Sequence, residues 1–437
     1  MKKSRQRLFT VLAAGVVLTL CTGCSRSVLN YQLAECIGTL GKYENNEPVE
    51  TPKMEAERIR KESEAAMEAE KTAILEQAAV LAMEHYYEEA IAVIQDCELL
   101  QNNDEAKEAV KTYQSKLESM FEYTGEIGHL SFTNLVVDTD RAFDGDEYSQ
   151  VYRENMITLT EFEAILNELY KGGYMLVDIH DLTVETGEGD DVTLAENNPL
   201  IPKGKKPLIL SVDNLNYSSV RNGDGVATKL VLNEEGEVAA CYTDEGGHDL
   251  LGAYDVVPVL EKFIDEHPDF SFRGARGIIG LSGVSGIFGY EVEEGSSLEY
   301  EDNQKKVKAI ADKLRADGWQ FASMGYSYKY MRDMSYDSLK EDLTKWEEQV
   351  GTLVGDCDIL IYPYGVEVDY ETEKAAYLTN HGYHYLIGLW AGGDHCEVNE
   401  TYLRQTRRTV TGYIFENYPN NFDTYFLTSA VKDPARK

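Results

Sequence analysis

Basic side chains are scarce in this chain of 437 residues. Lysine and arginine number 41 against 77 aspartates and glutamates, and the formal net charge is −36. This deficit excludes nucleic-acid binding, because clustered cations are what hold a phosphate backbone. It also opposes contact with an anionic membrane surface beyond a covalent anchor. An acidic surface of this kind is an ordinary means of keeping an exported protein soluble.

Long apolar runs are missing as well. The longest near the start, Leu8–Leu20, has 13 residues and is too short to span a bilayer comfortably as a permanent helix. Four basic residues precede it, and the sequence CTGC (21–24) follows it. This order resembles a bacterial lipoprotein signal, with cleavage before Cys24 and acylation of Cys24. We expect residues 1–23 to be a signal peptide and the protein to be lipid-anchored at the extracytoplasmic face of the cell membrane. An ordinary cleaved signal is the alternative.

Beyond that signal, cysteine is sparse and widely spaced. The remaining five are odd in number, and no C-x-x-C spacing occurs among them. They match neither a disulfide framework nor a zinc cluster, although one or two pairs remain possible. The five are Cys36, Cys97, Cys241, Cys357 and Cys396.

Glycine and proline are absent from 53–124, and alanine, glutamate and leucine dominate there. Apolar residues recur at helical spacing between Leu75 and Ile94. We predict a helical hairpin over 54–122, preceded by a tether over 24–53. The hairpin resembles a single tetratricopeptide-like unit. One such unit cannot bury its apolar face alone, so it either packs on the main domain or binds a protein partner.

From Ile127 onward, apolar strand patterns alternate with amphipathic helix patterns. This alternation predicts an α/β fold with a parallel sheet over 127–425, either a barrel or an open sheet. In both arrangements the chemistry lies at the carboxyl ends of the strands. We predict a C-terminal tail over 426–437. The predicted strands are 130–137, 174–179, 207–212, 277–282, 319–323, 358–363 and 383–389, and the predicted helices are 160–170, 256–267, 303–317, 337–350 and 372–381.

Three segments of this region place polar or aromatic residues at predicted strand ends. They read LILSVDN (208–214), GWQFASMGYSY (318–328) and DILIYPYG (358–365). In this order they resemble the motifs of NodB-homology polysaccharide deacetylases, carbohydrate esterase family four. The resemblance implies a distorted, incomplete (β/α) barrel. It also implies metal-assisted removal of acetyl groups from sugars, with a divalent metal such as zinc.

The metal-binding positions of that family are changed in this chain. Asp213 stands where the family has its general base, but Asn214 replaces the aspartate that ligates the metal. Met324 and Tyr328 replace two histidines that share the ion. An amide, a thioether and a phenol form a poor ligand set for a divalent metal. We therefore expect a remnant base at Asp213, no bound metal and no other cofactor.

The third segment corresponds to a wall of the family's substrate groove. Tyr362, Pro363 and Tyr364 match it, while Ile361 replaces the arginine that orients the base in the family. We therefore expect Asp213 to lack an arginine partner. Two further aromatic residues, Tyr326 and Trp390, complete the predicted groove. The sequence RRTVTG (407–412) resembles the terminal R-R-x-x-x-G of exported members.

Three functions remain open from these residues. The first is binding of a cell-envelope or environmental glycan, such as peptidoglycan or another acetylated polysaccharide, with deacetylation lost. The second is an active deacetylase with a rearranged site, for which Asp213, Asp224, Asp255, His248 and His395 are the candidates. The third is a scaffold acting through the N-terminal helices. Without a metal, general base help alone is worth only about 10²–10⁴-fold, so we expect little or no deacetylase activity.

Overall fold

The computed structural model describes residues 51–187, 192–389 and 392–436. The predicted signal peptide, Cys24 and nearly all of the predicted tether lie outside these ranges. The chain divides after Met67 into two compact units. The described part of the first unit, 51–67, is helical and exposed, and i,i+4 ion pairs such as Arg58–Glu62 lie along it. None of the helices in the three described ranges has the length and apolar character needed to cross a membrane.

The described helices and strands follow in chain order. The helices are α1 Pro52–Met83, α2 Tyr87–Asp96, α3 Asp104–Glu118, α4 Thr139–Ala142, α5 Ser149–Asn155, α6 Leu159–Lys171, α7 Val256–Glu266, α8 Tyr300–Asp317, α9 Tyr336–Trp346, α10 Thr352–Val354, α11 Glu373–Asn380, α12 Gly412–Asn417 and α13 Thr428–Val431. The strands are β1 Phe121–Glu122, β2 Gly128–Phe132, β3 Tyr174–Leu176, β4 Thr183–Thr186, β5 Thr193–Glu196, β6 Leu200–Ile201, β7 Lys206–Asp213, β8 Lys229–Leu232, β9 Val238–Thr243, β10 Asp249–Gly252, β11 Ile278–Leu281, β12 Gln320–Ser323, β13 Ile359–Ile361, β14 Tyr385–Leu389, β15 Cys396–Val398 and β16 Leu403–Thr409.

Seven parallel strands form a closed ring. The order around the ring is β2, β7, β11, β12, β13, β14 and β16, and β16 pairs with β2 to complete it. The long strand β7 pairs with β3 near its start and with β11 near its end, along the same edge. The expected α/β fold is confirmed, and the choice between a barrel and an open sheet is decided in favour of a distorted (β/α) barrel.

The strand that closes the ring was not predicted. Strand β16 reads LRQTRRT and carries only one apolar residue, so its hydrophobic pattern is weak. Its inward positions are polar because they take part in hydrogen bonds inside the barrel. The segment 407–412, which we interpreted as a terminal motif, thus includes the end of a central strand.

Local signals fix several helix ends. Thr158 caps α6: its hydroxyl accepts from the Glu161 amide, and the Glu161 carboxylate accepts from the Thr158 amide. Helix α8 ends at Gly318, which adopts φ 114°, and an added Cβ there would lie 2.0 Å from the Gly274 carbonyl oxygen. The predicted helices and strands of the barrel agree with the structure to within a few residues at most ends.

The N-terminal helices pack on the barrel from residue 68 onward. Small residues such as Ala78, Ala82 and Ala90 are buried in one apolar cluster with barrel residues such as Ile209. The turn between α1 and α2 docks on the loop before β11, where the Arg273 amide donates to the Glu84 carbonyl at 2.8 Å. Packing within the chain is thus the way in which this segment buries its apolar face.

The predicted C-terminal tail is wrong, because residues 426–436 are part of the folded unit. Arg436 and Glu161 form an ion pair in which both side chains are fully buried, with Nε to Oε1 at 2.8 Å. The Arg436 guanidinium also donates to the carbonyls of Arg153 and Met156. Breaking such a buried pair by removing one partner typically costs about 3–5 kcal/mol, so these residues stabilise α6.

The four described cysteines, Cys97, Cys241, Cys357 and Cys396, are free thiols. No disulfide therefore occurs among the residues that the structure describes, and the possible pairs are absent there. Cys36 lies outside those residues.

A charged cluster closes the base of the barrel, at the amino ends of the strands. His180 lies between two carboxylates, with Nδ1 at 2.6 Å from Asp178 and Nε2 at 3.0 Å from Asp358. Its ring also meets Tyr385 edge-on, with the centroids 4.4 Å apart. Burial alone would lower the pKa of His180, but the hydrogen bonds and charges of Asp178 and Asp358 outweigh it and raise the pKa to about 10.

We expect His180→Leu to destabilise the protein by about 2–3 kcal/mol at pH 6, because charged hydrogen bonds are lost and two carboxylates are left facing each other. Because folding raises the pKa of His180, its stabilisation is complete below the unfolded value of 6.5. It should decline as the pH rises and vanish above about 10. Urea unfolding at pH 6, 8 and 10.5 measures the difference between variant and parent.

The matched control is His248→Leu, since His248 is 77% exposed on the β9–β10 hairpin and should change stability little. An equal loss for His180→Leu at all three pH values would contradict a charged His180.

Candidate functional site

An ion pair occupies the mouth of the barrel, at the carboxyl ends of the strands. Asp213 is the last residue of β7, and Arg407 reaches it from β16. The two guanidinium nitrogens donate to the two carboxylate oxygens at 2.5 and 2.8 Å, and the side chains are only 3% and 13% exposed for Arg407 and Asp213. The expectation that Asp213 lacks an arginine partner is wrong. Ile361 does replace one arginine on β13, but a different strand supplies the charge.

Asn214 follows Asp213 in a left-handed conformation, with φ 51°. Its amide N–H donates to the Gly280 carbonyl, and its side-chain oxygen accepts a 2.8 Å hydrogen bond from the Ser282 hydroxyl. The side-chain oxygen that could face a metal is thus already engaged by Ser282, the residue that follows β11.

Met324 fills the barrel interior instead of facing the mouth. Its side chain is fully buried, and it lies with Ile361 against Gly280. A Cβ on Gly280 would lie only 2.8 Å from the Met324 sulfur, so the glycine makes room for the thioether. Met324 therefore acts as a core residue at this position.

Three tyrosines form a cluster on the β12 and β13 side of the mouth. The ring of Tyr364 lies 4.9 Å from that of Tyr328 and 4.8 Å from that of Tyr330, measured between centroids. Tyr364 and Tyr330 are 54% and 45% exposed. Burial and the nearby Asp213 carboxylate raise the pKa of Tyr328, which keeps its phenol protonated.

Backbone strain is concentrated around this mouth. Asn214, Tyr328 and Tyr364 all have positive φ values, between 51° and 56°, in three different strand-end loops. Bulky residues rarely adopt this conformation, which costs of order 1–3 kcal/mol each where it occurs. Such a cost is typical of side chains held in place for binding or catalysis.

The metal that the resemblance implies does not fit these residues. Among the described residues, no group of three histidine, cysteine or acidic side chains could hold an ion. At the family's ligand positions the chain offers a hydrogen-bonded amide oxygen, a buried thioether and a protonated phenol. None of these donors replaces carboxylate or imidazole for a divalent cation.

Tyr326 lines a cavity beside the mouth, of about 880 Å³. Its walls include Tyr217 and Tyr290 from the loops after β7 and β11, together with Lys229 of β8 and Lys306 of α8. The ammonium of Lys345 lies 3.8 Å above the ring of Tyr326. The cavity thus combines aromatic faces with hydrogen-bonding groups.

The remaining groove predictions have different outcomes. Tyr362 is fully buried among outer-layer residues such as Leu339 and Leu343, so it is not a groove residue. Strand alternation explains this, because Tyr362 points to the face opposite to that of Ile361. Pro363 is buried beside it, while Tyr364 reaches the surface. Trp390 lies outside the described residues.

The candidates for a displaced site are not brought together. Asp255 is buried and accepts hydrogen bonds from the Asn134 side chain and from the backbone amides of Leu135 and Val256. Asp224 accepts from the Tyr152 hydroxyl at 2.7 Å. His248 and His395 are exposed, and each pairs with an acidic neighbour in its own hairpin.

A polar network beneath the mouth was missed. His129 contacts Ser211 through Nε2 at 2.8 Å and Gln405 through Nδ1 at 3.0 Å, and all three side chains are fully buried. Ser211 also accepts from Arg407 at 3.1 Å. The sequence offered one indication of this network. Gln405 and Arg407 are two residues apart, which places both side chains on the same face of a strand.

We expect Asp213→Asn and Arg407→Met each to destabilise the protein by about 3–5 kcal/mol, because each leaves a buried group without its charged partner. The double variant should lose less than the sum of the two, since the groups act on each other. Urea unfolding of the four proteins measures the coupling.

The control is the exposed pair Lys306–Asp302, with side chains 45% and 60% exposed, where removal of either partner should change stability by less than about 1 kcal/mol. Additive losses at Asp213 and Arg407 would contradict a direct interaction.

Comparison with known proteins places this barrel in context. Residues 293–386 match the family model described as polysaccharide deacetylase, a range that includes Met324, Tyr328 and Tyr364 but not Asp213. The deacetylase PplD of Streptococcus pyogenes, solved in complex with acetate, is 13% identical, with a TM-score of 0.38 over 66% of this chain and 94% of that one.

A polysaccharide deacetylase candidate from Mycobacterium smegmatis is 14% identical, with a TM-score of 0.24 over 34% of this chain and 44% of that one. No curated protein matches the chain. The match over 293–386 lies within the seven-stranded barrel and contains two of the three motif segments. Part of the barrel, residues 293–386, is thus similar to polysaccharide deacetylases.

Proposed function

We infer that this protein binds an acetylated glycan at the barrel mouth without deacetylating it. The observation that carries this proposal is the mouth itself, where the Asp213–Arg407 pair faces the tyrosine cluster of Tyr328, Tyr330 and Tyr364. Carboxylate and guanidinium groups hydrogen-bond to sugar hydroxyls. Exposed aromatic rings offer an apolar face and a polar rim, which suits the C–H face of a pyranose ring.

Loss of deacetylation follows from the chemistry of the ligand positions. Family chemistry requires a metal to polarise the acetyl carbonyl and to lower the pKa of water. Here Ser282 already engages Asn214, and Met324 belongs to the core. Asp213 keeps an arginine partner in Arg407, so the proposed loss of hydrolysis rests on the ligand positions and not on the base. These contacts support binding in place of hydrolysis.

The cavity beside Tyr326 extends the proposed site. Its volume of about 880 Å³ is large enough for more than one sugar unit, and its wall begins two residues before Tyr328. A chain of sugars could therefore contact the mouth with one unit and the cavity with the next.

We expect purified full-length protein to bind N-acetylchitohexaose with a dissociation constant in the micromolar to millimolar range. Tyr364→Ala should weaken binding about tenfold, which corresponds to about 1.4 kcal/mol for a lost aromatic face. Isothermal titration calorimetry measures the affinity. The matched control is Tyr413→Ala, because Tyr413 is 46% exposed and also lies against a second tyrosine, Tyr418.

The same preparation should contain no stoichiometric zinc by mass spectrometry and release no acetate from the oligosaccharide. One zinc per chain together with acetate release would replace the binding proposal with an active deacetylase. Failure to bind N-acetylchitohexaose, acetylated xylan and peptidoglycan fragments alike would end the proposal.

We further propose that acyl chains on Cys24 hold the protein at the extracytoplasmic face of the membrane. The support is the basic start, the short apolar run and the CTGC sequence that follows it. In a bacterial host fed labelled palmitate, we expect Cys24→Ala to lose the label and Cys21→Ala to keep it. Labelling of the Cys24→Ala protein would contradict this assignment.

A further inference from the structure

A single line of hydrogen bonds runs through the barrel from the mouth to the base. It begins at Asp213, passes through Arg407, Ser211 and His129, and reaches Gln405. The Gln405 amide then donates to the Ile127 carbonyl at 3.2 Å, just before β2. Three neighbouring strands of the ring, β16, β2 and β7, supply all of these side chains.

Each proton in this line has one possible place. Because Gln405 donates through Nε2 to Ile127, its oxygen is left to accept from Nδ1–H of His129. Nε2 of His129 is then an acceptor and takes the Ser211 hydroxyl proton. Ser211 in turn accepts from Arg407 through its oxygen. The ring is thus neutral with its proton on Nδ1, and burial followed by the Arg407 charge lowers the pKa of His129 to about 3, in agreement with this geometry.

At its mouth end, this line of hydrogen bonds determines how Arg407 meets the Asp213 carboxylate. The same Arg407 nitrogen, Nη1, contacts both Ser211 and Asp213, so the Ser211 oxygen sets the angle at which the guanidinium meets the carboxylate. Because Ser211 gives its own proton to His129, its lone pairs stay turned toward Arg407. An apolar residue at 129 would release the Ser211 proton to point elsewhere, including toward Arg407.

We propose that His129 is a positioning residue, which orients Arg407 through Ser211 and thereby sets the Asp213 carboxylate for contact with glycan hydroxyls. This inference rests on the proposed function, and it assigns the buried network to ligand recognition. Apolar side chains would fill the barrel interior without desolvating four polar groups, so packing alone does not account for the network.

The test compares three variants by binding of N-acetylchitohexaose and by thermal unfolding. His129→Leu should weaken binding about tenfold. His129→Gln keeps one acceptor and one donor and should bind within about threefold of the parent. His129→Leu combined with Gln405→Leu removes the polar partners together, so it should recover thermal stability while binding remains weak.

The control is His85→Leu, since His85 is also a buried histidine with two hydrogen bonds but lies at the α1–α2 turn. It should lower the melting temperature without changing affinity. Parent-like affinity of the double leucine variant would overturn the positioning role, because only stability would then depend on the network.

A measurement without ligand separates this inference from the proposed function. Nitrogen-15 NMR of the free protein at pH 6 should show His129 neutral and protonated at Nδ1, and a crystal structure of His129→Leu should show the two-point contact between Arg407 and Asp213 broken. An Nε2-protonated or charged ring, or an unchanged ion pair in the variant, would overturn the inference. If the parent binds no glycan while both results hold, the proposed function fails and the positioning of Asp213 stands.

Discussion

The carboxylate of Asp213 determines much of this structure, because it ends a central strand where little solvent reaches it. A charge in such a place needs an opposite charge and hydrogen bonds to be tolerated. Arg407 supplies both, and it can do so only because β16 closes the ring between β14 and β2. The ion pair therefore depends on the closure of the barrel, because the strand that completes the ring also carries the arginine.

The proposed binding function treats the mouth as a site that keeps the shape of the family's groove without the family's metal ligands. Left-handed residues follow three strands of the ring, β7, β12 and β13, and Tyr328 of the aromatic cluster lies near the Asp213 carboxylate. What has changed is the use of the ligand positions, since Asn214 bonds to Ser282 and Met324 packs on Gly280. On the proposed function, sugar binding does not require the metal, because the shape of the pocket and the metal-ligand positions depend on different residues.

The sequence predicted most of the barrel, because its strands are apolar runs and its helices have clear ends such as Thr158 and Gly318. It failed at β16, whose inward residues satisfy one another by hydrogen bonds and therefore lack an apolar pattern. The same weak pattern hid the arginine partner of Asp213, because Arg407 lies on β16 and not on β13, where the family has its arginine. Two further features depend on strand pairing, which no local pattern contains. They are the face that Tyr362 occupies and the position of His129 between Ser211 and Gln405.

The pairing of Glu161 with Arg436 has a consequence for how the chain folds during its synthesis. The partners are 275 positions apart, and β16 likewise meets β2 across most of the chain. During synthesis the N-terminal helices and strands cannot complete the core, because the C-terminal segments that pack against them have not yet been translated. A nascent chain that stays loose for so long is well suited to threading through a translocation channel, as the proposed leader would require.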